Sequence, residues 1–267
     1  MVAQSVPSSV GQLLRDWRTR RRLSQLELAS AAGISARHLS FVETGRARPS
    51  REMVLHLAEH LDVPLRERNP LLIAAGYAPT YHATEFDAPE MSTVRTAVDG
   101  LLAGHEPYPA ILVDRRWQLV SANTVAGVLV EDVSPTLLEP PCNVLRVSLH
   151  PDGLAPRIVN LAEWADHIVG NLRRQVAITG DPGLRELEVE LAGYAAAMGV
   201  VPAPNLEAPR AVAMPMRLRT ERGELALMTM IATFGTALDI TLTELSIETF
   251  LPADAATAAA LQARVTP

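Results

Sequence analysis

The chain of 267 residues contains no lysine, so all 24 of its basic residues are arginine. We read this one-sidedness as the base composition of the coding genome, not as chemistry. It holds a single cysteine, Cys142, which excludes an internal disulfide. A lone thiol fits either an inert buried group or a nucleophile; no helix start or neighbouring base marks this one as activated, and it reads as inert. The N-terminus lacks a basic start followed by an apolar core, so nothing there marks the chain for export. No uncharged and mostly apolar stretch reaches 18 residues; residues 225–238, for example, run for 14. A bilayer-spanning helix needs about 18 or more. These absences predict a cytoplasmic protein without a membrane segment. A glycine-rich phosphate loop, a motif-supported Ser-His-Asp set and a cysteine pair are missing too, so catalysis has no warrant and no enzyme is expected.

What is present suits a globular chain: 48% of residues are hydrophobic and 20% charged. At about 150 residues per domain, the length predicts one or two domains. Charge divides the chain. Residues 1–76 hold 11 arginines against 7 acids, and residues 77–267 hold 13 against 23. Within the basic part, residues 15–51 carry nine arginines and three acids. A polyanion is drawn to that end, and the acidic remainder does not prevent it, because the Debye length at physiological salt is about 8 Å.

Apolar residues in the basic part recur at helical spacing: Leu13, Leu14 and Trp17; Leu28, Ala29 and Ala32; Leu39 and Val42; Val54, Leu55, Ala58 and Leu61. Ser24 with Glu27 three residues on forms a capping box that starts a helix at Gln25, and Gly33 ends it. Ser35 caps the next helix, Gly45 closes it, and Pro49 with Ser50 opens a fourth. A further helix is expected over 64–75, then a linker over 77–91. Beyond it, 91–103 reads as helix and 110–114 with 118–123 as a hairpin. Helices follow over 161–175 and 182–197, then strands over 212–219, 224–234 and 243–250, and a short Ala-rich helix over 254–264. That order predicts an α+β domain over 92–252 with an antiparallel sheet, and a tail over 253–267.

Two short helices joined by a glycine turn present the second to a major groove about 12 Å wide. Gln25 offers an amide and a helix N-terminus to phosphate. Ser35, Ala36, Arg37, His38, Ser40 and Phe41 occupy the first turns of the reading helix, while Leu39 and Val42 point to the core. Arg37 is the expected base reader, donating two bonds to guanine. Ser40 reaches a base edge, Phe41 a thymine methyl, and Arg46 and Arg48 with the Gly45 amide suit the sugar-phosphate backbone. The full expected contact set adds Ser24. No metal or catalytic residue is expected. The run Arg20, Arg21, Arg22 reads equally as phosphate contacts or as cations at a helix C-terminus.

Leu23-Ser24-Gln25-Leu26-Glu27-Leu28-Ala29, Gly33-Ile34-Ser35, Leu39, Val42-Glu43-Thr44-Gly45-Arg46 and Arg48-Pro49-Ser50 together resemble the XRE family of phage-repressor-type regulators. The resemblance covers about residues 9–76. It implies an all-α, five-helix, lambda-repressor-like DNA-binding domain over 1–76. It also implies a phosphate contact by Gln25, base contacts by Ala36, Arg37 and Phe41, and a structural pair between Arg18 and Glu43. The remainder, through His105-Glu106-Pro107-Tyr108-Pro109, Asp114-Arg115-Arg116-Trp117, Ala122-Asn123, Asn143-Val144-Leu145-Arg146 and His150-Pro151-Asp152-Gly153, is similar to the ligand-binding domain of MmyB-like regulators. That likeness implies a PAS-like fold and a small apolar, fatty-acid-like effector, with no other cofactor. It does not transfer pocket residues position by position.

Met214, Met216, Met228 and Met230 are the expected adaptable walls of such a pocket, or simply core. The segment His56-Leu57-Ala58-Glu59-His60 fits an inverted zinc-protease pattern, but the histidines fall on the wet side and no third ligand is placed; it is read as ordinary helix. His150 to Gly153 reads as a tight turn. The combined expectation is a sequence-specific transcription regulator, a repressor acting as a homodimer on double-stranded DNA and sensing an apolar effector. The rival is an antitoxin-like interaction module that uses the helix array against protein.

Overall fold

The computed structural model describes residues 9–200, 214–235 and 237–265. The chain divides into two compact units, the first running to Thr84 and the second holding most residues from Glu85 on.

The first unit is helical: α1 (Val10–Arg20), α2 (Gln25–Ala31), α3 (Ala36–Glu43), α4 (Arg51–His60) and α5 (Leu65–Ala74). Each of the first four starts on a serine. Ser9, Ser24, Ser35 and Ser50 accept from the amides of Gln12, Glu27, His38 and Met53, so each satisfies one orphan donor, worth about 1 kcal/mol. The capping box is complete: Ser24 Oγ accepts from Glu27 N at 3.1 Å and Ser24 N donates to Glu27 Oε2 at 2.7 Å. Gly33 and Gly45 take φ values of +64° and +73°, the left-handed conformation expected after a last helical turn.

Leu14, Trp17, Leu28, Leu39, Val42, Val54, Leu57, Leu61, Leu71 and Leu72 form the core of this unit. On α4 the stripe differs from expectation by one member: Leu57 is fully buried and Leu55 only half-buried. Positions 54, 57, 58 and 61 make the i, i+3, i+4, i+7 set, whereas Leu55 lies about 100° round the helix from Val54. After α5, Asn69 Oδ1 accepts from the amides of Thr80 and Tyr81 at 2.9 and 3.1 Å. Asn69 Nδ2 donates to Tyr81 O at 2.7 Å. The start of the expected linker is thereby tied to α5.

The second unit opens with α6 (Ser92–Gly104) and the hairpin β1 (Ala110–Val113) and β2 (Leu119–Ala122). Asp114 Oδ1 accepts from the amides of Arg116 and Gln118, both at 2.8 Å, and this local turn reverses the chain. Along the chain then come α7 (Pro135–Leu138), α8 (Val144–Leu149), α9 (Leu161–Thr179), α10 (Pro182–Ala197), β3 (Met216–Thr220), β4 (Gly223–Thr233), α11 (Ile240–Thr243), β5 (Ser246–Pro252) and α12 (Ala255–Val265); residues 177–179 and 237–243 fall in the first unit. The five strands form an antiparallel sheet in the order β2-β1-β5-β4-β3, so the last strand in sequence lies at its centre. One face packs through Ile111, Met216, Leu218, Leu225, Leu227 and Phe250 against Trp164, Ile168, Leu172, Leu187 and Leu191 of α9 and α10. Leu261 of α12 is fully buried in the same core.

Several boundaries moved: the helix expected over 161–175 runs to Thr179, and the strand expected to end at 250 runs to Pro252. The strand expected from residue 243 begins at Ser246, because Asp239 Oδ1 accepts from the amides of Thr241 and Leu242 and starts α11 there. Of the strand expected over 212–219, residues 212 and 213 lie outside the described residues, and the described part forms β3 from Met216 to Thr220. The expected methionine wall is also corrected. Met216 pairs with Leu227, which places the odd-numbered residues of β4 on its face and turns Met228 and Met230 to the opposite one, 37% and 53% exposed. Met214 packs at the margin of the core.

Candidate functional site

The helical unit presents the early residues of α3 outward. Leu39 and Val42 are buried, while Arg37 is exposed and Ala36, His38, Ser40 and Phe41 are half-buried. Arg37 places its guanidinium 5.3 Å from the centre of the Phe41 ring, a cation-π contact that pre-orients the charge on the surface. Ser24 and Ser35 are occupied as caps, and their hydroxyls mark the starts of α2 and α3. The Gly45 amide donates to Val42 O at 3.1 Å, and its left-handed turn carries the exposed Arg46 outward. Arg48, also exposed, donates to Ala75 O at 3.1 Å and stacks over Tyr77 at 5.8 Å.

Behind α3 lies the pair expected from the resemblance. Arg18 Nε and Nη2 donate to Glu43 Oε1 and Oε2 at 2.7 and 2.9 Å, and Arg18 Nη1 donates to Leu23 O at 2.7 Å. Gln25 Nε2 adds a 2.8 Å bond to Glu43 Oε2. Burial alone would raise the Glu43 carboxyl, but the bonds from Arg18 and Gln25 and the charges of Arg18 and Arg15 hold it below the ordinary glutamate value. Arg21 closes the far end of α1 by donating to Leu61 O at 2.8 Å and Asp62 O at 2.6 Å, and Arg20 lies over Trp17 at 4.5 Å. The histidines of the protease-like pattern hold backbone: His56 Nε2 bonds Ala32 O at 2.8 Å and His60 Nδ1 bonds His56 O at 2.9 Å.

The second unit holds a cavity of about 300 Å³ between the core face of its sheet and α8 and α9, open to solvent beside Leu119 and Ile231. Its wall is mostly apolar: Ile111, Trp117, Leu145, Trp164, Ile168, Leu172, Met216 and Phe250 among others. Most of its polar lining is occupied. Asn123 accepts from Ala110 N and Ala126 N and donates to Tyr108 O and Leu102 O. Ser148 Oγ accepts from Trp164 Nε1 at 2.9 Å, and His167 Nε2 pairs with Asn171 Nδ2 at 2.9 Å. Burial, then the charge of Arg174, push the His167 imidazole down, towards its neutral form. Cys142 lines the cavity with its thiol pushed up by burial, which fits the inert reading.

The residues that carried the second resemblance brace this cavity. Arg115 and Arg116 pair with Asp181 at 2.5 and 3.2 Å, joining the hairpin tip to the start of α10. Asn143 Nδ2 donates to Arg116 O at 2.8 Å, and Trp117 Nε1 donates to Gln175 Oε1 at 2.9 Å. Arg146 holds Glu190 through two bonds of 2.6 and 2.8 Å. His150 to Gly153 is a turn, with Gly153 N donating to His150 O at 2.9 Å. A Cβ on Gly153 would meet Val147 O at 2.1 Å, so only glycine fits.

Residues 94–263, well over half of the chain, match the family model of the MmyB-like transcription regulator ligand binding domain. The chain belongs to the MmyB-like transcription regulators. Residues 9–71 of this MmyB-like regulator match a helix-turn-helix domain, and no curated protein matches it. It is thus a DNA-binding transcription regulator with a ligand-binding domain, and both matched families are regulatory rather than enzymatic. No described helix of the regulator is long and apolar enough to cross a membrane.

Sequence reasoning missed the polar side of the regulator's cavity. Glu248 and Thr229 from the sheet and His167 and Asn171 from α9 converge there from elements far apart in sequence. One signal was legible: in Ser246-Ile247-Glu248-Thr249-Phe250 the charge shares its strand face with Phe250, against the alternation expected of a strand packed on a core.

Proposed function

We propose that the regulator is a cytoplasmic repressor that binds as a homodimer to two half-sites about one helical turn apart. The observation that carries the reading is α3 itself: its apolar side is locked into the core by Leu39 and Val42 while Arg37 stands exposed over Phe41. In this reading Arg37 reads guanine, Ser40 a base edge, and Ala36 and Phe41 touch apolar base surface, with His38 alongside. The starts of α2 and α3 at Ser24, Gln25 and Ser35 face phosphates, and the Gly45 turn brings Arg46 and Arg48 to the sugar-phosphate backbone.

The effector of this proposal is a small molecule with a fatty-acid-like apolar body held in the 300 Å³ cavity. It acts by binding one state of the dimer more tightly than the other, and tenfold coupling requires about 1.4 kcal/mol of difference. The test is capture of host genomic fragments on the purified protein, followed by titration of the recovered duplex with lipid extract. Recovery of a defined sequence whose affinity falls steeply with salt and changes on adding the extract supports the reading. Salt-insensitive retention, or none, favours the interaction module.

A further inference from the structure

β5 runs through the centre of the sheet, and its residue Glu248 pairs in register with Ile111 of β1 and Ile231 of β4. Ile111, Glu248 and Ile231 all line the cavity, and Ala122, opposite Ile111 on β2, extends the row. Glu248 is the one ionisable member of this cross-sheet row. It is only 9% exposed, and among the described residues no hydrogen bond or neighbouring charge acts on its carboxyl, which burial alone raises. The other titratable groups lining the cavity are His167 on α9 and Cys142, and no arginine lines it among the described residues. A buried carboxylate without a partner is costly, and a leucine or glutamine there would relieve the cost. The cavity therefore holds an acceptor whose donor the described protein does not supply, and it offers no cation to an anionic guest.

We infer that Glu248 is the headgroup-recognition residue of the cavity, and that the ligand is an apolar molecule whose polar end donates to it, an amine above all, and not a carboxylate. The inference rests on the cavity being the effector site and narrows the chemistry of the effector. Burial brings the Glu248 carboxyl to about 7, so it ionises readily once an ammonium enters. His167 and Cys142 do not compete for that role, since one is held neutral and the other stays a thiol.

The experiment is calorimetric titration of the full chain with dodecylamine and with dodecanoate, at about pH 6 and pH 8. Wild-type protein is expected to bind the amine roughly tenfold or more tightly than the acid at the higher pH, with amine affinity falling at the lower. Glu248→Gln is expected to lose most of that preference. The comparison of the two ligands on wild-type protein stands even if the variant folds poorly. Equal or tighter binding of dodecanoate, or a Glu248→Gln protein that melts normally and keeps its amine affinity, overturns this inference alone. Failure of both ligands to bind overturns it together with the effector reading.

Discussion

Glu43 accepts one bond on each carboxylate oxygen from Arg18, so one carboxylate at the end of α3 and one guanidinium on α1 form a two-pronged pair with side chains 1% and 12% exposed. Glu43→Ala leaves Arg18 without its partner in a nearly closed site. A stability loss of about 3–5 kcal/mol is expected from chemical denaturation, with a large coupling term in a double-mutant cycle with Arg18→Ala. A loss near zero refutes a structural role for the pair.

The same pair sets an acid limit. Because the folded-state Glu43 carboxyl is depressed, its contribution is present at neutral pH and is lost as pH falls through the depressed value. The denaturation midpoint of wild-type protein is expected to fall in acid more steeply than that of Glu43→Gln; parallel acid limbs count against it.

Glu248 has the opposite sign. A carboxyl raised to about 7 in the fold stabilises protonated protein and opposes folding once pH rises through that value. Glu248→Gln is therefore expected to be more stable than wild type by about 2–4 kcal/mol above pH 7, with the advantage fading towards acid. A thermal melt series over pH measures this, and a constant difference at every pH removes the ionisation from the account.

Gly11 lies against the end of α3: a Cβ there would sit 2.4 Å from Val42 O and 2.6 Å from Glu43 O. Both obstacles are backbone, so α1 must move. Gly11→Ala is expected to cost about 1–3 kcal/mol despite the better helix propensity of alanine, read by denaturation of the full chain.

On the reading helix the expected roles separate by specificity. Arg37→Ala should flatten discrimination between operator variants, by about 1–3 kcal/mol at one base pair, whereas Arg46→Ala should weaken all duplexes alike and lower the salt slope by about one. Fluorescence anisotropy across an operator series at several salt concentrations measures both. Indistinguishable behaviour of the two variants removes the division of roles.

The helical unit was almost wholly legible in the chain, since its information is local. Ser24 and Glu27 meet within one turn, Gly33 and Gly45 take the backbone angle that glycine tolerates best, and the apolar spacing states which side of each helix is buried. The exposure of Arg37 follows from Leu39 and Val42 occupying the inward positions beside it. Even the misplaced Leu55 stands only two positions from the buried Leu57 on a correctly placed helix.

The sheet was legible only as separate strands. Nothing local states that β5 inserts between β1 and β4, because strand order is decided by which apolar faces can be buried together over long separations. That insertion sets Glu248 between Ile111 and Ile231, and the register of β3 on β4 sends Met216 inward and Met228 and Met230 outward. Composition and periodicity alone thus determined a basic helix-turn-helix joined to an acidic α+β domain. The cavity and its lone carboxylate exist only through pairing at a distance.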